Sequence, residues 1–259
     1  MTKPKNSNER KASALTRLDH LALLFTAKQD VLSADLMASI EGHATLDEDF
    51  IAPAGTTLPA WLGTEDTSAA GAPTLDYIDD EINGAYTLTL AADDELESIA
   101  LTGGDHEWID PSKDCVVLMA FKVDAAAIPW SADQRFVAGL GTAFNATLDD
   151  VAGNAWFRME GASADLLWET DDGTTDDDDN DTGIDVVDDT YIRAAIRISP
   201  TAAGAADVAR FYVNGAQVGE GTLAAQSDPF QVIFCNQKDA GTETDALVVD
   251  YIRIIQSRS

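Results

Sequence analysis

The sequence predicts an all-β protein: a two-sheet antiparallel sandwich behind a short helical N-terminal arm. Three observations predict it. Ten short β-type runs separated by turn residues fill the chain from residue 76 onward, an Asn-Gly pair sits between two such runs, and helical spacing of apolar residues is confined to the first 42 residues. A length of 259 residues with an apolar fraction of 45% suits one large sandwich with an appendage better than two equal domains.

The arm, residues 1–42, differs from the rest in period and in charge. Leu15, Leu18, Ala22 and Phe25 recur at helical spacing, Leu21 and Leu24 widen the stripe, and Ser13 is placed to cap its start. The stretch DVLSADLMASIEG continues as a second helical piece that stops at Gly42. A lone helix of this length is marginal in water, so the arm is expected to pack on the body or on a partner. Residues 1–30 hold six basic residues (Lys3, Lys5, Arg10, Lys11, Arg17, Lys28) against three acidic ones. That balance of +3 leaves −33 for the remainder of a chain whose formal net charge is −30. An arm of opposite sign points to an acidic docking surface, such as the body of a neighbouring copy; the plain alternative is a solubilising tail. Its candidate partner-binding residues are Lys3, Lys5, Arg10, Lys11, Leu15, Leu18 and Phe25.

Residues 43–75 are rich in Pro, Gly, Ala and Thr with little periodicity, and read as an irregular linker in which Trp61 plugs a hydrophobic surface. The sandwich is expected over residues 76–259. Its candidate strands are YTLTLAA (86–92), ELESIALTG (95–103), CVVLMAFKV (115–123), QRFVAGLGTA (134–143) and NAWFRME (154–160). They continue with ADLLWET (164–170), TYIRAAIRIS (190–199), ARFYVNG (209–215), FQVIFCN (230–236) and ALVVDYIRIIQ (246–256). In the run from Tyr191 to Ser199, Ile192, Ala194, Ile196 and Ile198 alternate with Tyr191, Arg193, Ala195 and Arg197, which predicts a half-exposed strand. CVVLMAF is apolar on both faces, as a central strand would be if the opposing sheet covers one side and the arm or a loop the other. In FYVNGAQV, Asn214-Gly215 supplies the two positive-φ positions of a type I′ hairpin. Cys115 and Cys235 sit inside apolar runs and read as buried free thiols, with an inter-strand disulfide left open.

The hairpin at Phe211 to Gly215, followed by a closing VVDYIRIIQ strand, resembles the concanavalin A-like (laminin-G/glucanase-type) jelly rolls, over roughly residues 76–256. More specifically, the layout resembles jelly-roll proteins encoded in tailed-phage structural regions. The resemblance implies a two-sheet jelly roll and, from the phage context, a capsid decoration or fibre-type component of a virion. Lectins, adhesins and hydrolases share the fold, so it does not by itself assign a function.

A glucanase of this fold would need E-x-D-x-x-E or E-x-D-x-E on one strand, so that alternation aims the carboxylates into one cleft. Neither occurs; Glu160 and Glu169 each stand alone on their runs and read as solvated positions, so no catalytic residue is assigned. His20, His43 and His106 are scattered without metal-type spacing, and no nucleophile elbow or phosphate loop appears. The conspicuous feature is the acidic run from Asp171 to Asp189. Crowded carboxylates are relieved by hydration, protonation or a divalent cation. The run therefore reads as a solvated loop, as a calcium site using Asp178, Asn180 and Asp181, or as a dock for a neighbour's basic arm. Lectin-type sugar binding would use aromatic faces, for which Trp108 and Trp130, near strand ends, are the candidates, while Trp156 and Trp168 inside strands suit core packing.

The acidic body repels nucleic acid, and no stretch approaches the roughly 18 to 20 consecutive apolar residues of a membrane span. The start MTKPKNSNERK does not read as a secretory signal, so synthesis in the host cytoplasm is expected. The combined reading is a non-enzymatic, self-associating virion protein, a decoration or cement-type subunit held to capsid or tail proteins by its arm. The alternative is a carbohydrate-binding module or receptor-binding adhesin of a phage tail or fibre.

Overall fold

The computed structural model describes residues 58–78, 84–104, 108–200, 208–223 and 227–257, together with the backbone of 43–48. The expected helices of the arm lie outside the described residues. Among the described residues there are fifteen strands: β1 (His43–Glu48), β2 (Gly63–Thr67), β3 (Thr74–Ile78), β4 (Ala85–Thr89), β5 (Glu97–Thr102), β6 (Cys115–Asp124), β7 (Gln134–Gly141) and β8 (Asn154–Glu160). The series continues with β9 (Asp165–Asp171), β10 (Asp176–Asp185), β11 (Ile192–Ser199), β12 (Val208–Val213), β13 (Ala216–Thr222), β14 (Gln231–Lys238) and β15 (Ala246–Ser257).

They form two antiparallel sheets. Sheet I runs β13-β12-β11-β6-β15-β4-β3, and sheet II runs β10-β9-β8-β7-β14-β5-β2. The twelve residues of β15 are long enough for β4 to pair with its first part and β1 with its last, both on the edge away from β6. Alternation then builds the core. Val117, Met119 and Phe121 of β6, Ile196 and Ile198 of β11 and Phe211 of β12 face Phe136, Phe157, Trp168 and Phe234 across the gap, all buried. Rings meet edge-on where Phe157 approaches Phe211 at 5.3 Å, and Trp168 stacks on Phe211 at 5.2 Å. The Asn214-Gly215 hairpin is as expected: φ is 47° and 87°, and Val213 faces Ala216. Both cysteines are buried and free, and burial pushes both thiols well above their ordinary pKa.

Three expectations are corrected. Residues 43–75 contain β1, β2 and the start of β3. These short edge strands hold few apolar residues because each packs on a single neighbour, so their periodicity is faint. Trp61, by contrast, does pack against the core. The acidic run, read first as a solvated loop, contains β10, which pairs with β9; backbone pairing at the open edge of sheet II needs no apolar side chains. Crowded carboxylates on that strand block further edge-to-edge pairing. The strand β11 is not half exposed: Ala195 and Arg197 on its outer side are buried, and the Arg197 Nε lies 3.2 Å from the Asp114 carboxylate.

Candidate functional site

The outer face of sheet II, turned away from the core, carries the chemistry. On β8 the core takes Ala155, Phe157 and Met159, so Asn154, Trp156, Arg158 and Glu160 point outward. On β9 the core takes Leu166 and Trp168, leaving Leu167, Glu169 and Asp171 outward. Trp156 lies directly opposite Glu169 across the ladder. Gly139 of β7 flanks Trp156 on the other side, and a side chain there would strike the Trp156 backbone at 2.5 Å, so this floor accepts no other residue without movement. The connection between β7 and β8 folds back as a single 3-10 turn, Leu148–Asp150, and lays Leu148 and Val151 in a second apolar cluster with Trp156, Val137, Ile233 and Cys235.

Beside this plug is a buried ionic group. Glu169, 2% exposed, accepts a hydrogen bond from the Asn154 amide at 2.9 Å on one oxygen and from Arg158 at 3.1 Å on the other. The same guanidinium reaches Asp149 at 2.7 Å and Glu160 at 2.5 Å. Burial works against the Arg158 charge, but Glu169, Glu160 and Asp149 outweigh it and hold the group protonated. Burial also raises the Glu169 carboxyl above its ordinary value, more than Arg158 lowers it. The Trp156 indole N–H is near enough to favour the Glu169 charge yet falls short of a formed hydrogen bond.

The strand β10 brings further negative charge. Its register slips between Asp177 and Asn180, where Asp179 adopts a positive φ of 52°. This bulge sets the carboxylate oxygens of Asp178, Asp176 and Glu169 all within 4.8 Å of one another. Partial burial, followed by the hydrogen bond and charge of Asp176, lifts Asp178 to about 6. Three oxygen donors at this spacing could hold a hard divalent cation.

The expected calcium set is therefore only partly assembled. Asp178 joins the cluster, but the Asn180 amide turns back to Asp177 Oδ1 and to the carbonyls of Asp177 and Asp178, closing the bulge. Asp181 accepts from the Gly183 N–H in a local turn. Glu160 and Glu169, read as solitary solvated positions, are joined through Arg158 instead. The missed signal is Glu169-x-Asp171, two carboxylates on one face of one strand, which lacks only the third acid of the glucanase pattern. Trp130 is corrected from the sugar-binding set: it is 5% exposed, packs edge-on against Phe136 and donates to the Gln134 carbonyl. Trp108 is 45% exposed beside the bridge between Ile109 and Phe230, far along the chain from the Glu169 cluster. Trp156 and Trp168 are buried, as expected, although Trp156 lies on the outer face of sheet II. Lys3, Lys5, Arg10, Lys11, Leu15, Leu18 and Phe25 lie outside the described residues.

Known structures share this arrangement of sheets. The endo-1,3-beta-glucanase from Streptomyces sioyaensis superposes with a TM-score of 0.58 at 12% identity, over 85% of this chain and 98% of that one. The fold is the concanavalin A-like jelly roll. The Emp47p carbohydrate recognition domain matches it at a TM-score of 0.53 and 10% identity, over 81% of this chain and 93% of that one. Peanut lectin matches at 0.51 and 6% identity, over 83% and 97%. No family model and no curated protein sequence matches the chain. Enzymes and lectins thus share this jelly roll, and at such identities the likeness concerns the fold.

Proposed function

We propose that this chain works by binding rather than by bond cleavage, as a capsid decoration or cement-type subunit of a virus particle anchored through its N-terminal arm. The non-catalytic part rests on Glu169. Both of its oxygens are engaged by Asn154 and Arg158, and the sheet face beside it is plugged by Leu148 and Val151. A carboxylate so held lacks the freedom of a nucleophile. The virion part is supported by the opposite charges of arm and body and by the resemblance of the strand layout to jelly-roll proteins of tailed-phage structural regions. Immunogold labelling of particles with an antibody against the jelly roll tests this reading. Label on heads or tails is expected, and particles assembled in the presence of the chain but free of label would refute it. Reversal of Lys3, Lys5, Arg10 and Lys11 to Glu in the full chain is expected to abolish incorporation.

A second reading, a carbohydrate-binding module or receptor-binding adhesin, is favoured by the exposed indole of Trp108. Glycan-array hits lost on Trp108→Ala would support it. Cleavage of any β-glucan by the full chain would overturn the non-enzymatic reading altogether.

A further inference from the structure

The loop between β7 and β8 is a self-contained unit lying on the outer face of sheet II. Residues 142–153 leave and re-enter the sheet side by side: Gly141 pairs with Asn154, and the Thr142 N–H donates to the Gly153 carbonyl at 2.9 Å. Within the loop the Asp150 N–H donates to the Thr147 carbonyl, the Val151 N–H to the Leu148 carbonyl and the Thr147 N–H to the Asn145 side chain. A compact loop with joined ends and its own internal bonds can move as one body without unpairing the strands that carry it.

What it covers is apolar in the middle and polar at both ends. Leu148 and Val151 sit on Trp156, Val137, Ile233 and Cys235, with Phe144 at the margin. In the row at one end Asn154 and Gln231 stand on either side of Gly141; in the row at the other end Gln237 stands beside Arg135. The amide oxygens of Asn154, Gln231 and Gln237 are buried with no hydrogen-bond partner among the described residues. The closed loop thus strips three carbonyl oxygens of water without replacing it, which opposes the apolar seal. The ties that hold the loop down are few. The Gln237 amide donates to the Ala146 carbonyl, and Arg158 donates to Asp149 at 2.7 Å. Asp149 is 59% exposed, and Arg158 keeps Glu169 and Glu160 when Asp149 lets go. Releasing that clasp returns one carboxylate to water and leaves the guanidinium paired.

We propose that residues 142–153 form a displaceable flap, hinged at Gly141 and Gly153, which lifts off the outer face of sheet II and uncovers Trp156 and Cys235 while both sheets stay paired. Glycine suits the first hinge for a second reason: a side chain at Gly141 would strike Ile233 at 2.6 Å and press on Val151 at 3.4 Å, so the flap could not close. In the closed state the chain blocks this face with its own loop. Lifting the flap leaves Glu169 held by Asn154 and Arg158, so it opens a binding face and creates no nucleophile. The flap does not depend on the virion reading.

Thiol trapping on the full chain tests it, because the chain has two cysteines: Cys235 lies beneath the flap and Cys115 in the core between the sheets. With iodoacetamide under native conditions, Cys235 is expected to be alkylated at least roughly tenfold faster than Cys115, as read by peptide mass spectrometry. Asp149→Ala removes the clasp from the exposed side and should speed Cys235 severalfold while leaving Cys115 unchanged. Hydrogen exchange gives a second readout, in which the Asp150 and Val151 amides exchange together and faster than those of β7 and β8. Equal rates at the two thiols, a parallel rise at both in the Asp149→Ala chain, a Cys235 rate indifferent to Asp149→Ala, or Asp150 and Val151 amides as protected as β8 would each overturn the flap.

Discussion

Glu97 and Glu169 are the two buried glutamates among the described residues, and their surroundings differ in one respect. Glu97 of β5 sits directly across the ladder from Lys238 of β14, 3.2 Å apart and both at 0% exposure. Glu97 also accepts the Ala91 N–H, and Lys238 donates to the Ala91 carbonyl, so both members of the pair are held by the same backbone residue. Glu169 is equally buried, but its cation, Arg158, is shared with Asp149 and Glu160, and Asp176 and Asp178 stand just beyond. The matched pair is structural. The unmatched cluster has surplus negative charge in a semi-dry place, where a proton or a metal ion gains most.

The largest expected effect separates the two sites. Lys238→Met leaves Glu97 buried without its partner and should cost about 3–5 kcal/mol in urea unfolding. Arg158→Met should cost about 3 kcal/mol at pH 7 by the same argument. Millimolar calcium is expected to restore much of the second loss and none of the first, because only the Arg158 cluster opens to solvent through Asp176 and Asp178; equal responses would erase the distinction. Next in size is calcium on the unmodified chain. At ten times its Kd a specific site stabilises by about 1.4 kcal/mol, seen as a rise in Tm that Asp176→Asn with Asp178→Asn should remove.

The smallest effect is pH. Asp178 at about 6 and the raised Glu169 both bind protons more readily in the folded chain than in the unfolded one, so stability should increase as pH falls from 7 towards 5. The lowered carboxyls oppose this only below their ordinary range. Glu95 is held down chiefly by the Ala70 N–H, with Ala69 and Gly71 adding to it; Asp110 is held down by Ser112 and Lys113 against partial burial. A Tm that falls steadily from pH 7 to 5 would show that the Glu169 cluster does not limit stability.

Much of the fold was legible in the sequence. Ten strands were readable because each alternates or is continuously apolar, and the hairpin because Asn214 and Gly215 need positive φ. The strands β1, β2, β3 and β10 were not, since an edge strand is held by backbone pairing that leaves little mark on side-chain type. The candidate site was legible in one residue, Asp178. Glu169 looked solitary because its partners come from β8, from the turn at Asp149 and from across a bulge in β10, none of them close enough in sequence to form a motif.

By itself the sequence determined the two-layer antiparallel architecture, the acidic body and the oppositely charged arm, because strand period, turn chemistry and net charge are local or summed properties. Only the tertiary structure decided that β10 is a strand, that Trp130 belongs to the core, and that six charged side chains converge around Arg158, Glu169 and Asp178. Those outcomes depend on which strands become neighbours and on where one residue of bulge turns a carboxylate, and pairing between distant segments is not written into either segment alone.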